Sequence, residues 1–262
     1  MQNRDYKMIL QYLLFTFLIT YLAWGCLILG SQFGGIEMGT PVGVILHIIG
    51  GNAPPLIAYF VLRKHGRVTG FRSFMKSAFT VKEPLLMYMV VLVLTAVYFG
   101  LPALMGGITN SWPVYIAVLS IPVMVIGGGL EELGWRYILQ PILETRFSFI
   151  TSTVITSCIW AVWHLPLFFI PGTSQYNWSF GLFSISILGM SFALAVIYRV
   201  SGSIWLCILF HSMINAFSAS WAMDEKLWVK LGTTSGLIIT ALCLLIMLYR
   251  RAPVKSVGKH AG

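Results

Sequence analysis

Two adjacent carboxylates and an arginine lie at the end of a long apolar stretch, in the segment GGGLEELGWR that runs from Gly127 to Arg136. The chain has only 8 Asp and Glu among its 262 residues, and an ionisable group costs roughly 2.5 to 3.5 kcal/mol at the centre of a bilayer. On a helix, Glu132 and Arg136 are four residues apart and can pair, whereas Glu131 points about 100° away from its neighbour. The spacing predicts that Glu132 is the structural partner of Arg136 and that Glu131 is the free carboxylate.

Two later apolar stretches carry histidines beside an aromatic or polar side chain. Trp160 precedes His164 by one helical turn, and His211 precedes Asn215 by one turn, so the members of each pair share a helix face. Hydrogen bonds between helices, without chemistry, would explain one such residue. Two imidazoles, an amide and a free glutamate on separate apolar stretches instead favour one shared site.

Such a set of groups can hydrolyse a peptide bond. A carboxylate beside an imidazole can hold and deprotonate water, and imidazole and amide N–H groups can stabilise the oxyanion that forms. Glu131 with His164 is the predicted water-activating pair. His211 and Asn215 are the predicted donors to the carbonyl oxygen.

A catalytic zinc site is the alternative use of the same groups. Two imidazoles and one carboxylate make a credible ligand set with one open position, which here would be Glu131, His164 and His211. The sequence lacks H-E-x-x-H, which would place two ligands and a base on one helix. A glutamate mechanism that requires no cofactor is therefore preferred, and zinc or another divalent metal stays the alternative.

The composition predicts the elements that must position these residues. Hydrophobic residues make up 58% of the chain and charged residues only 10%, far below the quarter that is typical of soluble domains. Apolar stretches of the roughly 20 residues that cross a bilayer run at about 8–29, 42–62, 85–104, 113–135, 149–170, 180–198, 203–221 and 231–249. The sequence therefore predicts an all-α membrane protein of about eight transmembrane helices, with one domain over 1–262, a catalytic core at about 114–215 and a cavity among the fourth, fifth and seventh spans.

The basic residues predict the orientation, because cytoplasmic loops collect Lys and Arg. With both termini in the cytoplasm, only Lys226 and Lys230 of the 17 basic residues fall in outer segments. The net charge of +9 is then explained by topology and by contact with membrane lipids, and no nucleic-acid partner is expected.

Two of the predicted elements are irregular. The second span contains His47, Asn52 and two prolines, which predict a kinked helix beside a cavity or simple packing without chemistry. Residues 63–83 form a basic segment with interleaved Phe, which suits either a short amphipathic helix on the inner leaflet or a plain charged loop.

The end of the fourth span decides whether Glu131 and His164 can meet. If Arg136 marks the cytoplasmic boundary, Glu131 lies only about 7 Å below it at 1.5 Å per residue, while His164 lies near the bilayer midplane. If Arg136 is instead buried against Glu132, the span continues to about Gln140 and Glu131 moves inward. The second arrangement is preferred.

Three motifs occur in a fixed order on three predicted spans: E-E-x-x-x-R, an aromatic residue followed four positions later by His, and H-x-x-x-N. This ordered set resembles the CPBP family, the type II CAAX prenyl endopeptidases with their bacteriocin-processing and Abi-like relatives, over about residues 114–215. The second motif usually begins with Phe, and Trp160 keeps an aromatic wall for the substrate cavity. The matching residues are Glu131, Glu132 and Arg136; Trp160 and His164; His211 and Asn215.

The resemblance implies an intramembrane protease that cleaves near the C-terminus of a lipid-modified or membrane-associated peptide, in the plasma membrane of a prokaryote. It is compatible with either glutamate-dependent or metal-dependent hydrolysis. A non-proteolytic protein, either a transporter or a bacteriocin-immunity or scaffold protein, would use the same polar cluster for binding. A transporter would more often show inverted repeats with paired broken helices, and only the second span is broken here, which favours the protease.

Overall fold

The structure, a computed structural model, describes residues 2–110 and 112–249. The described chain is almost entirely helical, and its one sheet is a pair of three-residue antiparallel strands. The predicted cytoplasmic C-terminus, 250–262, lies outside the described residues. The elements are α1 Gln2–Gln32, α2 Pro41–Gly51, α3 Ala53–Lys64, α4 Phe71–Ala78, α5 Leu85–Leu104, β1 Ile108–Asn110, α6 Val114–Ile126, α7 Glu132–Gly134, α8 Gln140–Leu143, α9 Phe149–His164, α10 Phe180–Ser201, α11 Ile204–Ser220, β2 Trp221–Met223 and α12 Leu227–Tyr249.

Each predicted span coincides with helix, which confirms the all-α membrane fold. Six helical segments within the described residues are long and apolar enough to cross a bilayer, and α2 with α3 would add a seventh if this pair, bent by 46°, is one span. The remaining apolar stretch is α11, whose 17 residues make it shorter than the others. The total of eight stays a prediction.

The bend between α2 and α3 occurs where the sequence predicted a kinked helix. Prolines just after Asn52 interrupt the helical hydrogen bonds, and carbonyl groups freed in this way need other donors. Helix α1 supplies one: the Thr20 hydroxyl donates to the Gly50 carbonyl, four residues before the first proline, at 2.8 Å. One turn earlier, the Trp24 indole donates to the His47 carbonyl at 3.2 Å.

The fourth predicted span is continuous as a membrane segment but irregular in its backbone. Helix α6 ends at Ile126, a 3₁₀ turn covers Gly129–Glu131, and a π-helical turn covers Trp135–Leu139 between α7 and α8. The segment Val114–Leu143 is long enough to span a bilayer. Arg136 is fully buried within it, and the helical segment ends at Leu143, close to the predicted end at about Gln140. Turns of the π type occur frequently at functional sites.

Close packing also holds the first and fourth spans together. Gly134 lies against the hydroxyl of Tyr12, and a methyl group at position 134 would overlap that oxygen. The ring of Tyr12 packs edge-on against Trp135, with ring centroids 5.7 Å apart. The irregular segment after α6 is therefore fixed from one side by α1. From the other sides α10 and α11 contact it.

Candidate active site

Glu131 lies at the end of the 3₁₀ turn and is 7% exposed. Its Oε2 atom accepts hydrogen bonds from two indoles, Trp160 Nε1 at 2.8 Å and Trp135 Nε1 at 3.3 Å. Its Oε1 atom accepts no hydrogen bond from the described residues. Glu131, the predicted free carboxylate, thus forms no ion pair within the described residues, and the two indoles hold it through Oε2 alone. The role of Trp135 was missed, although its spacing of four from Glu131 could have indicated it.

Glu132 is fully buried and carries two partners on its two oxygens. Arg136 Nη1 lies 3.1 Å from Oε2, which is the pair predicted from the sequence. His211 Nδ1 lies 2.8 Å from Oε1, a contact that joins the fourth and seventh spans. Arg136 in turn donates to the hydroxyl of Ser191 on α10 at 3.0 Å, and its guanidinium lies 4.6 Å from the ring centroid of Trp160. Glu132 and Arg136 therefore tie three helices together.

The contact with Glu132 fixes the proton arrangement of His211. A carboxylate oxygen can only accept, so Nδ1 of His211 carries the proton in this hydrogen bond. The second nitrogen, Nε2, makes no hydrogen bond within the described part of the chain. A ring with a proton on both nitrogens would present Nε2–H as a donor.

His164 ends α9, and its Nδ1 atom lies 2.9 Å from the carbonyl oxygen of Trp160. A carbonyl oxygen only accepts, so Nδ1 is protonated and Nε2 of the neutral ring is an acceptor. The ring packs edge-on between Trp163 and Phe183, with centroid distances of 4.6 and 5.1 Å. Among the described residues, no direct hydrogen bond joins His164 to Glu131, and their role as a water-activating pair stays a prediction. Trp160 bonds to both groups, to Glu131 through its indole and to His164 through its backbone.

Trp160 is buried at the centre of the polar groups, and its role as a residue of the substrate cavity stays a prediction. Its side chain is 1% exposed and lies between the carboxylate of Glu131, the guanidinium of Arg136 and the imidazole of His211. A phenylalanine could fill the same space but could not donate to Glu131. The departure from the usual Phe therefore adds a hydrogen-bond donor to the site.

Gly128 brings the backbone of the fourth span next to Asn215 and His211. Its φ of +156° is uncommon for residues with a side chain. A Cβ atom at this position would overlap Asn215 Nδ2 and would lie 3.2 Å from His211 Nε2. Asn215 Nδ2 also approaches the carbonyl of Gly127 at 3.4 Å. The two predicted donors thus face the glycine break directly before Glu131.

The glycine break gives a stability prediction with a matched control. Gly128→Ala is expected to lower the free energy of unfolding by about 3 kcal/mol, because it adds backbone strain to the overlap with Asn215. Gly127→Ala is expected to have little effect, since the nearest atoms lie 3.5 Å from its added methyl group. Unfolding in detergent, followed by circular dichroism, measures both. Equal stability of the two variants would contradict the assigned geometry.

The predicted alternative zinc ligands, Glu131, His164 and His211, do not form a ligand set in this structure. Among the described residues, no group of three or more His, Cys, Asp and Glu side chains is arranged to hold a metal ion. His211 directs Nδ1 at Glu132 and His164 directs Nδ1 at its own helix backbone, so Nε2 is the atom of each ring that a metal would bind. The zinc alternative stays a prediction.

Comparison with known proteins identifies this region. A family model described as type II CAAX prenyl endopeptidase Rce1-like matches residues 110–217. Residues 110–217 are Rce1-like. The Rce1-like segment contains all three motifs, which confirms the resemblance inferred from them. A curated relative named CAAX prenyl protease 2, from Methanococcus maripaludis, is 25% identical over 261 aligned residues that cover 90% of this chain and 92% of the relative. The chain is thus similar to a CAAX prenyl protease along most of its length.

Proposed function

We propose that the protein is an intramembrane endopeptidase that cleaves near the C-terminus of a lipid-modified or membrane-associated peptide. The observation that carries this proposal is the convergence of Glu131, His164, His211 and Asn215 from three spans on one region. Glu131 Oε1, His164 Nε2 and His211 Nε2 make no hydrogen bond to the described part of the chain. The similarity to a protein named CAAX prenyl protease 2 supports a prenylated peptide as the substrate. Both termini would lie in the cytoplasm of a prokaryotic cell, as the basic residues favour.

The proposed reaction begins with water held between Glu131 Oε1 and His164 Nε2. Glu131 takes a proton as the water oxygen attacks the peptide carbonyl carbon, and His164 orients the water by accepting its second hydrogen. The two indoles on Oε2 hold the carboxylate in one orientation. The carbonyl oxygen becomes an oxyanion. The carbon–nitrogen bond then breaks, and Glu131 returns its proton to the leaving amine.

His211 and Asn215 would stabilise the oxyanion in this scheme. Asn215 offers its amide N–H, and the protonated His211 offers Nε2–H while Glu132 holds Nδ1. Donors aimed at developing charge in a buried site each contribute roughly 10²- to 10³-fold to the rate. The ion pair between Glu132 and Arg136 would keep this imidazolium balanced and oriented.

Cleavage of a quenched fluorescent library of membrane-anchored and prenylated peptides tests the proposal. Wild type is expected to cleave and to keep its activity in a strong chelator, whereas His164→Ala is expected to lose about 10²-fold or more. His65→Ala is the matched control, because His65 bonds to Gln11 at the helix end far along the chain from the three motifs. It should keep full activity.

Two outcomes would change the assignment. Loss of activity in chelator with rescue by zinc would make Glu131, His164 and His211 metal ligands. Failure of folded wild type to cleave any library member would favour a non-proteolytic binding or immunity protein.

A further inference from the structure

The connection between α3 and α5 forms a strongly basic surface. All six Lys and Arg side chains in residues 63–82 are exposed. Only Arg67 has an ion pair, with Asp5 at 3.0 Å. Within the described residues, no carboxylate lies within ion-pair distance of the other five. The members of this basic surface are Arg63, Lys64, Arg67, Arg72, Lys76 and Lys82.

Helix α4 holds the basic surface in a fixed place on the bundle. Phe74 and Ala78 on one face of α4 are buried, and the ring of Phe74 packs 5.5 Å from that of Tyr59 on α3. Ser77 Oγ accepts from the hydroxyl of Tyr137, in the π-helical turn, at 3.4 Å. The predicted amphipathic helix is therefore present, and it is docked by its apolar face and by Ser77.

The face of α4 opposite Phe74 carries the cations Arg72 and Lys76, and partly exposed aromatic rings lie at the two ends of the helix. Phe71, the first residue of α4, is 61% exposed, and Phe79, directly after α4, is 42% exposed, although each ring also packs against an aromatic ring of the bundle. In water, the exposed parts of these two rings are unfavourable. At a bilayer surface, aromatic rings enter the headgroup boundary while Lys and Arg reach the phosphates.

The topology places this surface at the membrane boundary. Helix α3 ends at Lys64 and α5 begins at Leu85, and both belong to segments that are apolar enough to cross a bilayer. The chain between them must therefore lie at the membrane surface. We propose that the basic surface is a binding site for the headgroups of anionic phospholipids. Because Ser77 contacts the turn that contains Arg136, a bound lipid would stabilise the segment next to the candidate active site.

Lipid binding to the purified full-length protein tests this proposal without any assay of activity. Native mass spectrometry of the protein in micelles, titrated with phosphatidylglycerol or phosphatidylcholine, gives the number and affinity of bound lipids. Wild type is expected to prefer phosphatidylglycerol. Arg72→Gln with Lys76→Gln is expected to weaken that binding about 30-fold, because each basic residue near an anionic surface contributes roughly fivefold. Binding of phosphatidylcholine should not change.

Two further double variants distinguish lipid binding at a defined site from a general attraction of anionic lipid to positive charge. Arg72→Lys with Lys76→Arg keeps both charges and should bind like wild type. Arg250→Gln with Arg251→Gln removes the same charge from the same predicted side of the membrane and should also bind like wild type. Equal lipid preference in wild type, or equal losses in the two Gln variants, would overturn the proposal. Displacement by soluble glycerol 3-phosphate at a comparable concentration would overturn it in favour of a free-anion site.

Discussion

Glu131→Gln is expected to lower kcat for peptide cleavage by about 10³-fold, with little change in KM. The amide can still accept hydrogen bonds from Trp160 and Trp135, so the side chain should stay in place. It cannot take a proton from water, and loss of a positioned general base typically costs 10²- to 10⁴-fold. Single-turnover cleavage of a peptide that wild type hydrolyses measures the chemical step directly.

Glu37→Gln is the matched control for this substitution. Glu37 is an exposed glutamate in the loop between α1 and α2, and its removal should leave kcat unchanged. A Glu131→Gln protein that keeps most of its activity would remove Glu131 from the role of base, and Nε2 of His164, which accepts a hydrogen of the water in the proposed scheme, would then be the next candidate.

Glu132→Gln is expected to lower the free energy of unfolding by about 3 to 5 kcal/mol, because it leaves the fully buried guanidinium of Arg136 without a counter-charge. In the same change an amide replaces the carboxylate that His211 contacts. Unfolding by a denaturing detergent, followed by circular dichroism, measures the loss.

A double-mutant cycle shows whether this loss comes from the unpaired charge. Glu132→Gln with Arg136→Gln removes both charges and should be more stable than Glu132→Gln alone, since no isolated ion remains buried. Strict additivity of the two single losses would contradict a coupled pair. The expected gain in the double variant applies to stability only, because His211 would still lack its carboxylate partner.

Local geometry made part of this site predictable from the sequence. Glu132 and Arg136 lie on one helical segment at a spacing of four, so their pairing follows from helix geometry alone. The contact between His211 and Glu132 could not be predicted, because 79 residues separate them. Motif spacing does not determine how one span is rotated or shifted against another.

The same limit applies to Glu131 and His164. Their role as the pair that activates water stays a prediction, because motif spacing does not show which side chains lie around two groups on different spans. In the structure Trp160 bonds to both groups, which its place on the same helix face as His164 makes possible. The interruption of the helix at Gly128 could not be predicted either. An apolar composition indicates that a segment crosses the membrane, but it does not determine the backbone angles of that segment.

The fourth span contains two contacts between residues four apart, and both have a consequence for insertion of the chain into the membrane. Ribosomal synthesis delivers the spans in order, so both glutamates enter the membrane before Ser191 and His211 exist. Arg136 and Trp135 each follow a glutamate by four residues and can bond to it within the entering segment. Each carboxylate therefore has a partner from the moment of insertion, and the later helices complete a network that the fourth span has already begun.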